Sequence, residues 1–310
     1  MSHKNDGLAE VLKGNPFTME LIRQWRRDLQ LFFDGRIGFS QLYFVLDSDR
    51  EAIRAYNQKN RANDEKRLHL ELLPQPFQGD PRAPVWILML NPGYSYVDRY
   101  DHLGLCPSCD KKLVKINRAK HDVFDTRLNK RHALQKRQDL LLQQLRLKKG
   151  SKFSLLDKAF DTLQDCSEWK GAGGYRWRRA MLFGAGKKAD FLLRKCGVQE
   201  EAKSVGSKLF VLECNPYHSH KFDDGAYSFG SGYIKFWRAL ISWAVKNDKK
   251  FIVRGTSVSK MLSKYRLRVN STNSVNFSNW QKAYLTMKNL SKRKYVRTQI
   301  CRALGQNKQL

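Results

Sequence analysis

Val85-Trp-Ile-Leu-Met-Leu90 runs straight into Asn91-Pro-Gly-Tyr94, and this junction decides the fold. Six apolar residues without helical spacing predict a strand buried on both faces, as in a parallel sheet. The Pro-Gly turn halts the strand and leaves a carboxamide at the carboxyl edge, where open α/β folds bind ligands. Lys208-Leu-Phe-Val-Leu-Glu-Cys214 repeats the pattern and ends in Asn215-Pro-Tyr-His-Ser219. A third strand is expected at Lys250–Gly255. A fourth is expected at Arg266-Leu-Arg-Val-Asn270, running into the polar loop 271–278. Helices fit between them, over Tyr233–Asn247 (Phe236, Trp237, Leu240, Ile241 and Ala244) and Ser257–Lys264. The expected fold class is therefore α/β: a three-layer α/β/α sandwich around a central, mainly four-stranded parallel sheet.

Outward from this sheet, residues 16–70 read as helical. Thr18 can cap a helix through Phe33 that sets Leu21, Trp25, Leu29 and Phe32 near one face, and a second helix spans about Asp49–Asn60. Pro74, Pro76, Pro81 and Pro84 then hand the chain to the first buried strand. Between the first two strands the α/β rhythm breaks. Lys111–Lys152 holds 14 Lys/Arg against Asp122, Asp125 and Asp139, with Leu134, Leu140, Leu141 and Leu145 suggesting an amphipathic helix that ends at Gly150. The organisation expected is a helical N-terminal region (1–80) packed on the core, an α/β domain (81–280) with a basic insertion (99–170), and a basic C-terminal helix or tail (281–310).

Charge points to the partner. Lys and Arg exceed Asp and Glu by 29 over 310 residues, yet residues 1–80 hold 12 of each sign. The excess lies wholly beyond residue 80, with 46 basic and 17 acidic groups. Such a charge opposes compaction unless a polyanion offsets it, so nucleic acid is the expected partner. A ribosome-associated protein or a solvated basic surface would carry the same composition. No stretch reaches the roughly 18 apolar residues of a membrane span, and the N-terminus lacks a secretory h-region. Six scattered Cys form no disulfide framework, which suits a reduced cytoplasmic setting.

Asn91, Asn215, Arg254 and the Asn270–Asn276 loop are all expected at one edge. In this order and spacing the chain resembles the uracil-DNA glycosylase superfamily. Its mismatch-specific and thymine-glycosylase branch ends the first strand in Asn-Pro-Gly, as Leu90–Gly93 does here. The resemblance implies a four-stranded parallel sheet and a base-reading Asn on the next core strand, the place of Asn215. It also implies a third strand closing on Gly, as Phe251–Gly255 does.

By that resemblance the chain is expected to be a monomeric DNA glycosylase that flips a base and hydrolyses its N-glycosidic bond, in repair or in defence against phage with modified DNA. The reaction develops an oxocarbenium-like sugar and negative charge on the departing base. Asn91 would orient the water, and Asp98 or Asp101 would supply a carboxylate that Asn91 cannot. Tyr94, Asn215, Tyr217, His218, Arg254 and Asn273 would contact the base; Asn215 offers both a donor and an acceptor. The uracil-specific branch adds a His in its last motif loop, whereas no His follows His220 here.

Backbone contact to DNA is expected from Lys148, Lys149, Arg176, Arg178, Arg179, Lys292, Arg293 and Lys294, with Gly171–Gly174 able to hold phosphate at a helix N-terminus. No cofactor is expected. The alternative is a structural zinc or iron–sulfur site on Cys106 and Cys109, completed by His102 and His121. DNA, duplex or single-stranded, is the expected partner, with no membrane and no obligate protein partner. Two competing readings remain open. In one, Asn91 and Asn215 only start turns and the chain is a non-catalytic nucleic-acid-binding protein on the same scaffold. In the other, the sheet edge processes a nucleotide or phosphosugar.

Overall fold

The computed structural model of the chain describes residues 7–93, 138–139, 141–143, 145–146, 209–221, 231–269, 274–276 and 294–303. Its elements are α1 (Leu8–Lys13), α2 (Met19–Phe33), α3 (Arg50–Lys59), β1 (Phe77–Gln78), β2 (Val85–Met89), β3 (Leu209–Glu213), α4 (Ser231–Lys246), β4 (Lys250–Val253), α5 (Thr256–Lys264), β5 (Ser274–Asn276) and α6 (Lys294–Ala303). The five strands form one sheet in the order β1-β3-β2-β4-β5. β3, β2, β4 and β5 run parallel, and β1 adds to the β3 edge antiparallel.

β2 lies centrally because it is apolar throughout. All five of its residues are buried, as are all five of β3. One row of the sheet (Trp86, Leu88, Phe210, Leu212, Phe251, Val253) joins Leu8, Trp25, Leu29, Tyr233, Trp237 and Leu240 in the principal core. α4 supplies that core because Tyr233, Trp237, Leu240, Ile241 and Ala244 recur at helical spacing and are buried together. Trp86 and Phe210 meet at 4.5 Å between ring centroids, and the Trp86 indole N–H reaches Pro81 O at 3.2 Å. α6 packs against β4 and β5.

The Thr18 hydroxyl accepts the Leu21 N–H at 3.2 Å and starts α2, which buries Ile22, Trp25 and Leu29. Residues 42–46 and 61–70 are not helical and 39–41 and 47–49 form only short 3-10 turns, contrary to the helical reading of 16–70. Leu42, Phe44 and Leu46 reach the core from these irregular segments, as do Leu72 and Leu73 just beyond them. Residues of the basic insertion share that core: Leu141, Leu142 and Leu145 are buried in it. Asn15 Nδ2 donates to Leu145 O at 2.8 Å, Arg146 to Phe17 O at 3.2 Å, and Arg26 pairs with Asp139 at 3.4 Å. The edge strand at 77–78 likewise ties the N-terminal region into the sheet.

The fourth parallel strand corrects the sequence reading. It is Ser274–Asn276, inside what reads as a polar loop, and Arg266–Val269 is not a strand. Arg266 sits at φ 52°, its N–H bonded to Ser263 O at 3.0 Å, and the Leu267 N–H reaches back to Leu262 O at 2.9 Å. This pair of bonds is a Schellman closure of α5 with Arg266 at the left-handed position. Leu267 packs on the core as the apolar partner of that closure, so its apolar character serves the helix end.

Candidate functional site at the carboxyl edge of the sheet

The chain passes from β2 to β3 on one side and then crosses to β4 on the other, so the order reverses beside β2. Ligands of open α/β sheets bind at such a switch point, beyond the carboxyl ends. Asn91 follows β2, Asn215 follows β3 and Arg254 follows β4. The ladder runs past the strands: Cys214 N–H donates to Met89 O at 2.8 Å, Asn215 N–H to Leu90 O at 2.9 Å and Arg254 N–H to Leu88 O at 3.0 Å. This bonding pairs Asn215 with Asn91 across adjacent strands, a backbone spacing of about 5 Å.

Asn91 is half-buried and its carboxamide is oriented from three sides. Nδ2 donates to Ser219 Oγ at 2.9 Å, to Pro92 O at 3.0 Å and to Ser219 O at 3.4 Å. Two of these partners are carbonyls, which only accept, so the nitrogen must face them. Oδ1 is left as an acceptor with no hydrogen bond among the described residues. Gly93 bridges Ser219 in parallel, which holds the Asn-Pro-Gly turn against the β3 exit.

Asn215 is buried, with 4% exposure. Its Oδ1 accepts the Tyr217 N–H at 2.9 Å, closing a tight turn, and its Nδ2 is a buried donor with no partner among the described residues. The sequence offers this carboxamide as donor and acceptor together. The fold commits the oxygen to the turn and leaves the donor.

Two expected base contacts are corrected. Tyr217 is 1% exposed, and its hydroxyl donates to Asp49 Oδ2 at 2.6 Å while accepting the Leu46 N–H at 3.1 Å. It locks the β3 exit onto the segment before α3, so its ring is core and does not offer a stacking face. His218 is 2% exposed, with Nδ1 3.0 Å from Gly93 O and Nε2 3.1 Å from Leu73 O. The neutral ring satisfies one of these carbonyls and the imidazolium satisfies both. The imidazole thus links the Asn-Pro-Gly turn to the chain preceding β1 and is not presented to phosphate. His69 N–H to His218 O at 2.9 Å and Gln75 N–H to Pro216 O at 2.8 Å continue that link.

Arg254 is half-buried. Burial lowers its guanidinium to about 10, against the opposing pull of Glu213, so it stays cationic at neutral pH. Glu213 is buried beside Met89, and burial, with the Glu213 carboxylate as a second cause, drives the Cys214 thiol well above its usual value. The site thus sets a fixed cation and a buried acid on either side of the Asn91 strand.

Tyr94, Asp98, Asp101, Asn273, Cys106, Cys109, Lys148, Lys149, Arg176, Arg178, Arg179, Lys292 and Arg293 lie outside the described residues, and Lys294 opens α6. Among the described residues no three His, Cys, Asp or Glu side chains group to hold a metal, and no helix is long and apolar enough to cross a membrane. Sequence reasoning missed Ser219, whose hydroxyl fixes Asn91. Its signal in the sequence was its place four residues after Asn215, at the end of Asn215-Pro-Tyr-His-Ser219. Comparison with family models, curated proteins and solved structures finds no significant match to this chain.

Proposed function

We propose that this chain is a DNA glycosylase on a uracil-glycosylase-like α/β/α sandwich, acting on a damaged, mismatched or modified base turned out of the helix. One observation carries the reading: the Asn91 carboxamide is pinned through its nitrogen, so its oxygen stands as a fixed acceptor at the switch point of the sheet. A water donating to that oxygen would be held with its lone pair toward an incoming sugar. The C1′–N bond breaks with its electron pair leaving on the base, and the water oxygen bonds to C1′. The water's proton passes to solvent or to Asp98 or Asp101. Asn215 Nδ2, a buried donor lacking a partner among the described residues, suits an oxygen of the departing base. Arg254 adds positive potential where that negative charge collects.

The test uses duplexes bearing uracil, mismatched thymine or phage-type modified bases, incubated with the full chain and then cleaved at abasic sites with alkali. Breaks are expected on at least one substrate, reduced about a hundredfold or more by Asn91→Ala. Absence of breaks above the Asn91→Ala control on every substrate sinks the proposal. Retained DNA binding in that case favours the non-catalytic reading.

A further inference from the structure

The acid-free end of the chain carries an inference that the carboxyl-edge site does not use. From residue 249 to 310 there are 15 Lys/Arg and no Asp or Glu. At the end of α5 one of these cations, Lys264, shares an aromatic ring with Arg238 of α4. Arg238 Cζ stands 5.5 Å and Lys264 Nζ 5.6 Å from the centroid of Tyr265. The ring is itself fixed, edge to face, 6.3 Å from the buried Trp237. Arg266 and Arg268 follow immediately and are exposed, as are Arg238 and Lys264. None of the four has a carboxylate partner among the described residues. Elsewhere Lys13, Arg26, Arg50 and Arg67 each do.

A second observation concerns the backbone. Arg266 holds the left-handed closing position of α5 at φ 52°, where glycine is favoured and a residue with a Cβ is strained by about 1–2 kcal/mol. The α5 dipole favours cations at its C-terminus, but it does not select an arginine for the one strained position. Exposed cations this close in the chain or in space, with no carboxylate partner among the described residues, repel one another unless an anion with repeated charges lies across them.

We infer that Arg238 and Lys264 beside Tyr265, with the exposed Arg266 and Arg268 that follow it in the chain, form a docking surface for the phosphate backbone of duplex DNA. α5 follows β4 from the carboxyl edge and is nine residues, about 13 Å, long, so Lys264 and Tyr265 sit at its far end from Arg254. A duplex on this flank contacts the protein over several phosphates without entering the switch point. The inference concerns binding alone and stands whether or not a base is excised.

The deciding variant is Arg266→Gly, because glycine suits the helix closure and protects the fold. Binding of the full chain to a random-sequence duplex is followed by fluorescence anisotropy across a salt series, and Tm is measured alongside. Arg266→Gly is expected to keep or raise Tm while weakening binding several-fold. Adding Lys264→Ala and Arg268→Ala should flatten the slope of log K against log salt by about 2 to 3, at about 0.9 per phosphate contact. The control, Arg23→Ala with Arg54→Ala on α2 and α3, should leave both nearly unchanged. Unchanged affinity and slope in the triple variant, or an equal loss in the control, overturns the inference. So does binding to phosphatidylserine vesicles in place of duplex. Base excision is assayed separately, so its failure is distinguishable from failure here.

Discussion

At the residue scale, Asn91 shows how a fold turns a common side chain into an oriented one. Its amide nitrogen faces two carbonyls and a hydroxyl, and a carboxylate in the same place would face the carbonyls with no donor to offer. Asn91→Asp is therefore expected to lose about 1–3 kcal/mol of stability at neutral pH, with part of it recovered on acidification as the carboxyl gains a proton. Urea titrations at neutral and acid pH check this; a variant as stable as the parent at both refutes the orienting role of those carbonyls.

The Tyr217–Asp49 contact makes a second prediction. Burial holds the Asp49 carboxyl above its ordinary 3.8, opposed by hydrogen bonds from Tyr217 and Ser48. A raised folded value means stability that is fully present below 3.8 and is lost as pH rises through the folded value. Tyr217→Phe removes one opposing bond, so it should cost about 1–3 kcal/mol and extend that loss to higher pH. Asp49→Asn should abolish this part of the pH dependence. Urea midpoints of the three proteins against pH decide the matter. Overlapping curves would mean the contact carries no energy.

Between elements, three central strands were legible and the helices end within one residue of where the sequence places them, at Phe33, Lys59, Lys246 and Lys264, but the fourth parallel strand was not legible. Val85–Met89, Leu209–Glu213 and Lys250–Val253 lie within the expected strands because unbroken apolar runs have few alternatives to a buried sheet. α2 starts where Thr18 marks it. The closures that follow α4 and α5 place Asp248 and Arg266 in the left-handed region, residues that do not announce such a turn as glycine does. The apolar residues after Arg266 consequently look like a strand. Gly79 is an element-scale test of the β1 edge. At φ 92° an added Cβ would stand 2.5 Å from Leu209 O, so both conformation and space exclude it. Gly79→Ala is expected to cost about 2–4 kcal/mol. Calorimetry should show a Tm drop of several degrees, and an unchanged Tm would mean that β1 contributes little.

For the whole molecule the charge sets behaviour. A net +29 concentrated beyond residue 80 makes the folded chain self-repelling, and a bound polyanion should relieve it. Saturating duplex DNA at low salt is expected to raise Tm. A ligand at a hundred times its Kd stabilises by about 2.7 kcal/mol, and the shift should vanish as salt weakens binding. A Tm indifferent to DNA at low salt contradicts the assignment of DNA as partner. The sequence by itself determined that the chain is α/β, where its central strands lie, and that three of them deliver Asn91, Asn215 and Arg254 to one edge, because runs of apolar residues and Pro breaks act locally. Only the tertiary structure decided that the Asn215 oxygen is spent on a turn, that Tyr217 and His218 brace the edge, and that Ser219 pins Asn91. Those outcomes depend on pairings between segments far apart in the chain, such as residues 73 and 218, which no local pattern encodes.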